Sequence, residues 1–155
     1  MTFRITGLPR TDFEHLFGLD DAALSERGIV RMTADATPGF PCRVGLRDLE
    51  PGETVLLLNH EHQGADTPFR SSHAIFVGED SSPPALAPGE LPEVLRRRTL
   101  SIRAFGADGM MIDADLAEGA EAPALIERLL ADRRADYLHL HYARRGCWAA
   151  RADRA

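Results

Sequence analysis

Apolar positions in this chain repeat mostly every second residue, and in one late stretch every three to four. Phe3 and Ile5 alternate with polar neighbours and predict a short first strand. Thr11-Asp12-Phe13-Glu14 fits a capping box, in which Thr11 accepts the Glu14 amide while Glu14 reaches back, and it predicts a short helix to about Phe17. A second helix is expected from about Asp20, stopped by Gly28, with a strand from Ile29 to Thr33. Cys42 to Leu46 and Glu53 to Asn59 are extended runs on either side of the turn-forming Asp48-Leu49-Glu50-Pro51-Gly52, a pattern that predicts a hairpin with a longer loop. Val55 to Leu58 is apolar on both faces, which predicts a central, covered strand. Asn59 to Ser72 reads as polar and irregular, and Ala74-Ile75-Phe76-Val77 as another buried strand.

Residues 78 to 92 carry Pro83, Pro84, Pro88 and Pro92 and predict a surface loop, with a helical turn or two over Leu91 to Arg97. Thr99 to Phe105 and Met110 to Leu116 bracket Gly106-Ala107-Asp108-Gly109, the clearest hairpin signal. Leu125, Ile126, Leu129 and Leu130 sit at helical spacing, so Ala122 to Arg133 is an amphipathic helix. Two last strands, Tyr137 to Tyr142 and Cys147 to Arg151, are joined by Ala143-Arg144-Arg145-Gly146. Strands in hairpins, short N-terminal helices and one longer late helix predict an α+β fold with a largely antiparallel β-sheet. A chain of 155 residues is expected to make a single globular domain over residues 1–155.

Composition changes this picture mainly by exclusion. Apolar and charged content are ordinary for a soluble protein, and no apolar run approaches the roughly 18 residues of a membrane span. The N-terminus lacks a long apolar segment, so a cytoplasmic location is expected. All 18 basic residues are arginine, which fits the codon bias of a GC-rich genome. Without lysine there is no Schiff-base or pyridoxal-phosphate chemistry and no Walker-type phosphate loop. A net charge of −6 argues against general nucleic-acid binding. The segment from Tyr137 onward is instead net positive, with four arginines against one aspartate, and suits a small anionic ligand.

Phe40-Pro41-Cys42-Arg43, Leu49-x-Pro51-Gly52-Glu53, Ala74-Ile75-Phe76-Val77 and Ala143-Arg144-Arg145-Gly146-Cys147 together resemble a bacterial family of uncharacterised proteins, the domain-of-unknown-function family DUF1203. The resemblance runs from about Ile29 to Arg154, and its Gly-Cys-aromatic ending is the most specific part. An asparagine often stands in that family where this chain has Tyr142. The resemblance implies one small domain and supplies no reaction, cofactor or site.

The C-terminal segment concentrates chemistry: it holds His139, His141, Cys147, Trp148, both tyrosines, Arg144 and Arg145. His60-Glu61-His62 and His139-Leu140-His141 are His-x-His pairs that a strand would turn to one side, so each could offer two imidazoles to a metal ion. With His73 and a cysteine a mixed nitrogen and sulfur site can be drawn. Two-residue spacing lacks any longer ligand pattern, so an apo protein with no metal and no cofactor is expected. Cys42 and Cys147, each near arginine, are expected to be reduced, with Arg43, Arg144 and Arg145 able to favour a thiolate and His139 or His141 able to act as base. Arg144-Arg145-Gly146 could hold a carboxylate or phosphate through guanidinium and amide donors. Period-two alternation places Leu138, Leu140 and Tyr142 against the core and leaves His139, His141 and Arg144 on a more open face.

Two functions follow. The first is a small-ligand (anion) binding module or small enzyme with its site at Cys42, Arg43, His139, His141, Arg144, Arg145 and Cys147. The second is a protein–protein interaction or homodimeric structural module whose aromatic and arginine-rich end forms the interface.

Overall fold

The computed structural model describes residues 2–155. In its first half the chain forms β1 (Phe3–Thr6), α1 (Glu14–Phe17), α2 (Asp21–Glu26), β2 (Val30–Thr33), β3 (Pro41–Cys42), β4 (Arg47–Asp48), β5 (Thr54–Gln63) and β6 (Ser71–Gly78). Its second half forms α3 (Glu93–Arg96), β7 (Thr99–Phe105), β8 (Met111–Glu118), α4 (Ala122–Ala131), β9 (Tyr137–Tyr142) and β10 (Trp148–Arg154). Two compact units result, one of residues up to Thr6 with 61–73 and 85–155, the other of residues 7–60 and 74–84. Short helices on mainly antiparallel sheets, with one longer late helix, make this an α+β protein.

The first unit is built on the sheet β1-β10-β9-β7-β8, antiparallel throughout. The β7–β8 hairpin turns where predicted: Gly109 adopts φ 80°, and the Gly106 and Gly109 amides bond the Met110 and Gly106 carbonyls at 2.9 Å each. Helix α4 packs across β7, β8, β9 and β10. Its buried Leu125, Ile126, Leu129 and Leu130 match the face carrying Leu100, Ile102, Ala104, Leu138 and Leu140, all buried. At its C-terminus the Arg154 guanidinium donates to the Leu130 carbonyl at 2.6 and 3.1 Å, giving a partner to one of the acceptors a helix end leaves open.

In the second unit the sheet order is β2-β5-β6-β3-β4. Strand β5 lies between β2 and β6, and its Val55, Leu56 and Leu58 are buried, as their two-sided apolar pattern requires. They join Phe13, Leu24, Val44, Leu49, Ile75 and Val77 in one core. Helix α2 follows its caps, the Asp20 carboxylate accepting from the Ala23 amide at 2.8 Å and Gly28 adopting φ 71°.

Three local expectations give way. The capping box is not formed: residues 10–12 make a 3-10 turn and Phe13, not Thr11, occupies the cap position of α1 with no side-chain cap. Burial of Phe13 governs that stretch, and Thr11 stays exposed. Cys42 to Leu46 is not a strand paired with β5. Only Pro41 and Cys42 are extended, with Cys42 beside Phe76 in parallel register, and residues 43–46 turn the chain back so that β4 pairs with β3. Leu46 takes a left-handed φ of 50° there, and its burial offsets a conformation that local propensity disfavours. Finally, residues 59 to 72 are not irregular throughout, because β5 continues to Gln63 and β6 begins at Ser71. A ladder of backbone hydrogen bonds accepts polar side chains on a strand that packs among other polar and aromatic groups.

Gly119, between β8 and α4, has no room for a side chain, since a Cβ would meet the carbonyl oxygens of Leu95 and Arg96 at the end of α3. Gly119→Ala is expected to lower unfolding stability by about 1–3 kcal/mol in urea titration. Gly18→Ala, at a position with nothing within 4 Å, should stay within about 0.5 kcal/mol of the parent.

Candidate metal centre

Strand β9 turns Tyr137, His139 and His141 to the face opposite its leucines. Register sets their neighbours: Phe105, Arg103 and Ser101 of β7 stand opposite Tyr137, His139 and His141, while Arg151 and Trp148 of β10 stand opposite His139 and His141. This face is not open. His139 and His141 are only 5% and 1% exposed, which corrects the expectation of an accessible histidine face. Residues 61–73 supply the cover. Gln63 Nε2 donates to Tyr137 Oη at 2.8 Å, Thr67 Oγ1 to the Gly109 carbonyl at 3.3 Å, and Phe69 packs edge-on to Phe105 at 6.4 Å between centroids.

The same segment delivers His62 and His73. Their rings stack at 5.0 Å, and His62 meets His141 edge-on at 4.9 Å and His139 at 5.9 Å. His62 Nε2 lies 2.9 Å from His73 Nδ1 and 3.3 Å from Ser71 Oγ. One ring nitrogen from each of His62, His73 and His141 falls within 4.8 Å of the others. Among the described residues this is the one cluster of three or more histidine, cysteine or carboxylate ligand atoms with that spacing.

The hairpin between β9 and β10 fixes the third imidazole. His141 Nδ1 lies 2.9 Å from the Gly146 carbonyl. A carbonyl only accepts, so Nδ1 carries the proton and Nε2 presents a lone pair. That Nε2 is buried with no protein hydrogen-bond partner. A ring held through its other nitrogen by a backbone carbonyl is how proteins orient a metal-ligating histidine. Burial is the main force that pushes both His139 and His141 down to about 3, helped at His139 by His62, Arg151 and Arg103, and at His141 opposed by the bond to Gly146 and helped by Arg103. His73 is also lowered, by burial and then by Arg103. These imidazoles are therefore neutral at pH 7, the form that binds metal.

The residues singled out from sequence separate. His139 and His141 share the cluster, and Gly146 contributes its carbonyl, whereas Arg144 and Arg145 are exposed and Cys147 is half-buried. Cys42 and Arg43 belong to the second unit, both buried: Cys42 Sγ accepts from the Gly45 and Gly78 amides at 3.4 and 3.3 Å, and Arg43 donates to the Pro41 carbonyl at 2.6 Å. No disulfide joins Cys42 and Cys147. His60, the partner of His62 in the sequence pair, is in the second unit against Phe13. The cluster thus takes one member from each pair together with His73, all nitrogen donors. Arg103 is not among the residues singled out from sequence; its signal lies in strand alternation on β7, which tells which side a residue faces but not what covers it.

Residues 39–154 match DUF1203, described as a protein of unknown function. The chain belongs to this family. The DUF1203 match runs from β3 to β10 and contains His62, His73 and His141. No curated protein and no solved structure matches the chain. Among the described residues no helix is long and apolar enough to cross a membrane.

Burial of neutral histidines makes the metal-free protein acid-sensitive in a defined window. Above about pH 6.5 folded and unfolded chains are both neutral at these sites, and below it only the unfolded chain takes up protons, until the folded sites titrate near pH 3. Stability should fall by about 2 kcal/mol for each of the two histidines between pH 7 and 5. Urea unfolding with chelator present checks this, and His139→Phe should flatten the pH dependence.

Proposed function

We propose that this protein binds one divalent transition-metal ion, zinc fitting best, through His62, His73 and His141. The observation that carries this reading is the meeting of three ligand nitrogens within 4.8 Å. Zinc–nitrogen bonds of about 2.0–2.1 Å in tetrahedral geometry place ligand nitrogens about 3.3 Å apart. Small movements of the half-buried His62 and His73 rings reach that spacing around a fixed His141. A nitrogen-only, carboxylate-free set favours zinc, copper or nickel over magnesium or calcium. Between His62 Nε2 and His73 Nδ1, 2.9 Å apart, one N–H bridges the two rings in the metal-free protein, and metal uptake would move that proton to the far nitrogen of its own ring.

Three protein ligands leave a fourth position, the arrangement of catalytic rather than structural zinc. The small-ligand function expected near the C-terminal hairpin is thereby relocated to an ion that this hairpin helps to hold. The alternative of an interaction module drew on aromatic residues of the same segment as interface anchors. Trp148 and Tyr142 are instead buried within their own unit, and Arg98 lies over the Tyr142 ring in a cation–π contact, its Cζ 5.1 Å from the centroid.

Calorimetric titration of chelator-treated protein with Zn²⁺ is expected to show one site per chain. Cobalt substitution should give the strong visible absorption of a four-coordinate ion. His62→Ala, His73→Ala and His141→Ala should each weaken binding at least ten-fold, with circular dichroism reporting that the fold persists, while Arg144→Ala leaves it unchanged. Absence of saturable binding, or affinity indifferent to all three histidines, would overturn the assignment.

A further inference from the structure

We propose that the open position of this metal ion takes a small oxyanion, a carboxylate or phosphate, whose second contact is the guanidinium of Arg103. The inference rests on the metal reading and concerns what the loaded site selects.

Three neutral imidazoles donate electron pairs but no charge, so an ion bound by them keeps its full double positive charge. Arg103 adds to it. On β7 it stands opposite His139 and two residues from Ser101, which stands opposite His141. Paired residues on neighbouring antiparallel strands turn to the same side, so its side chain shares the sheet face of His139 and His141. Arg103 is half-buried there.

No protein carboxylate answers these charges. Among the described residues Arg103 forms no ion pair, and its hydrogen bond runs from Nε to Ser101 Oγ at 3.2 Å. The terminal nitrogens of the fork have no protein acceptor among those residues. Asp153, whose charge acts on His139, is committed to Arg151 through contacts of 2.7, 2.8 and 3.1 Å. A metal ion on the triad and an arginine without an ion-pair partner on the same sheet face would make a strongly positive site that a bound anion neutralises. One oxygen on the metal and another on the guanidinium uses both, and planar or tetrahedral oxyanions match the donor fork. An anionic ligand was expected from sequence at the exposed Arg144 and Arg145. The partly buried Arg103 is the better counter-charge, because exposed guanidinium groups are screened by water and salt.

The test uses cobalt-loaded protein, whose visible spectrum reports the fourth ligand. Acetate and inorganic phosphate are titrated separately, with acetamide as the uncharged counterpart of acetate. Either or both anions should shift the spectrum saturably and acetamide should not. Arg103→Gln should weaken the anion effect at least ten-fold while metal affinity stays within a few-fold of the parent, and Arg103→Lys should recover only part of it. A normal cobalt spectrum that no anion alters, or an anion response untouched by Arg103→Gln, would overturn this proposal and leave the metal site standing. Failure to take up cobalt at all would remove both.

Discussion

Strand β9 is covered on both faces, and most of the first unit depends on that constraint. Its period of two sends Leu138 and Leu140 under α4 and sends Tyr137, His139 and His141 under residues 61–73. A shift of one residue in register would carry the imidazoles into the aliphatic layer and the leucines among polar groups, so register is strongly specified. Pairing with β7 and β10 then determines which side chains accompany each histidine. The site is consequently a product of sheet register rather than of a local motif.

A buried imidazole face is costly unless its nitrogens have partners, at about 1–3 kcal/mol for each unsatisfied group. The His141 ring meets this at Nδ1 through Gly146 and leaves Nε2 without a protein partner. An apolar side chain at position 141 would remove that cost altogether, which is why a buried histidine with an unpartnered lone pair supports the proposed ligand role. His139 Nδ1 is also buried without a partner, and the triad does not use it. It lies instead among Phe105, Tyr137 and Trp148 at 5.1, 5.1 and 6.0 Å between centroids.

Much of the fold was legible because it rests on local chemistry. Gly106 to Gly109 turns the β7–β8 hairpin, Asp20 caps α2, and the leucine spacing of α4 identifies the buried side of the helix. What was not legible is governed by tertiary burial. Thr11 to Glu14 has the residues of a capping box, but Phe13 is drawn into the core and shifts the helix start. Cys42 to Leu46 has β-forming residues, yet the run breaks at Leu46, whose burial holds a left-handed conformation no propensity scale would assign to leucine. For the candidate site, the two His-x-His pairs showed which residues shared a strand face. They did not show that residues 61–73 would lie over β9 and bring His62 and His73 to His141.

The conspicuous chemistry of the C-terminal segment contributes in an indirect way. Arg144 and Arg145 are the most charged residues of the turn and are exposed, where water competes for every anion they could bind. The residue of that turn that reaches the cluster is Gly146, which contributes only a carbonyl oxygen. Its φ of 80° is accessible at little cost because glycine has no Cβ, and the hairpin closes with the Gly146 amide on the Tyr142 carbonyl at 2.8 Å. A side chain here would strain the turn and with it the bond that sets the His141 tautomer. The backbone of the turn, fixed by one glycine, therefore does more to define the chemistry at His141 than the two guanidinium groups beside it.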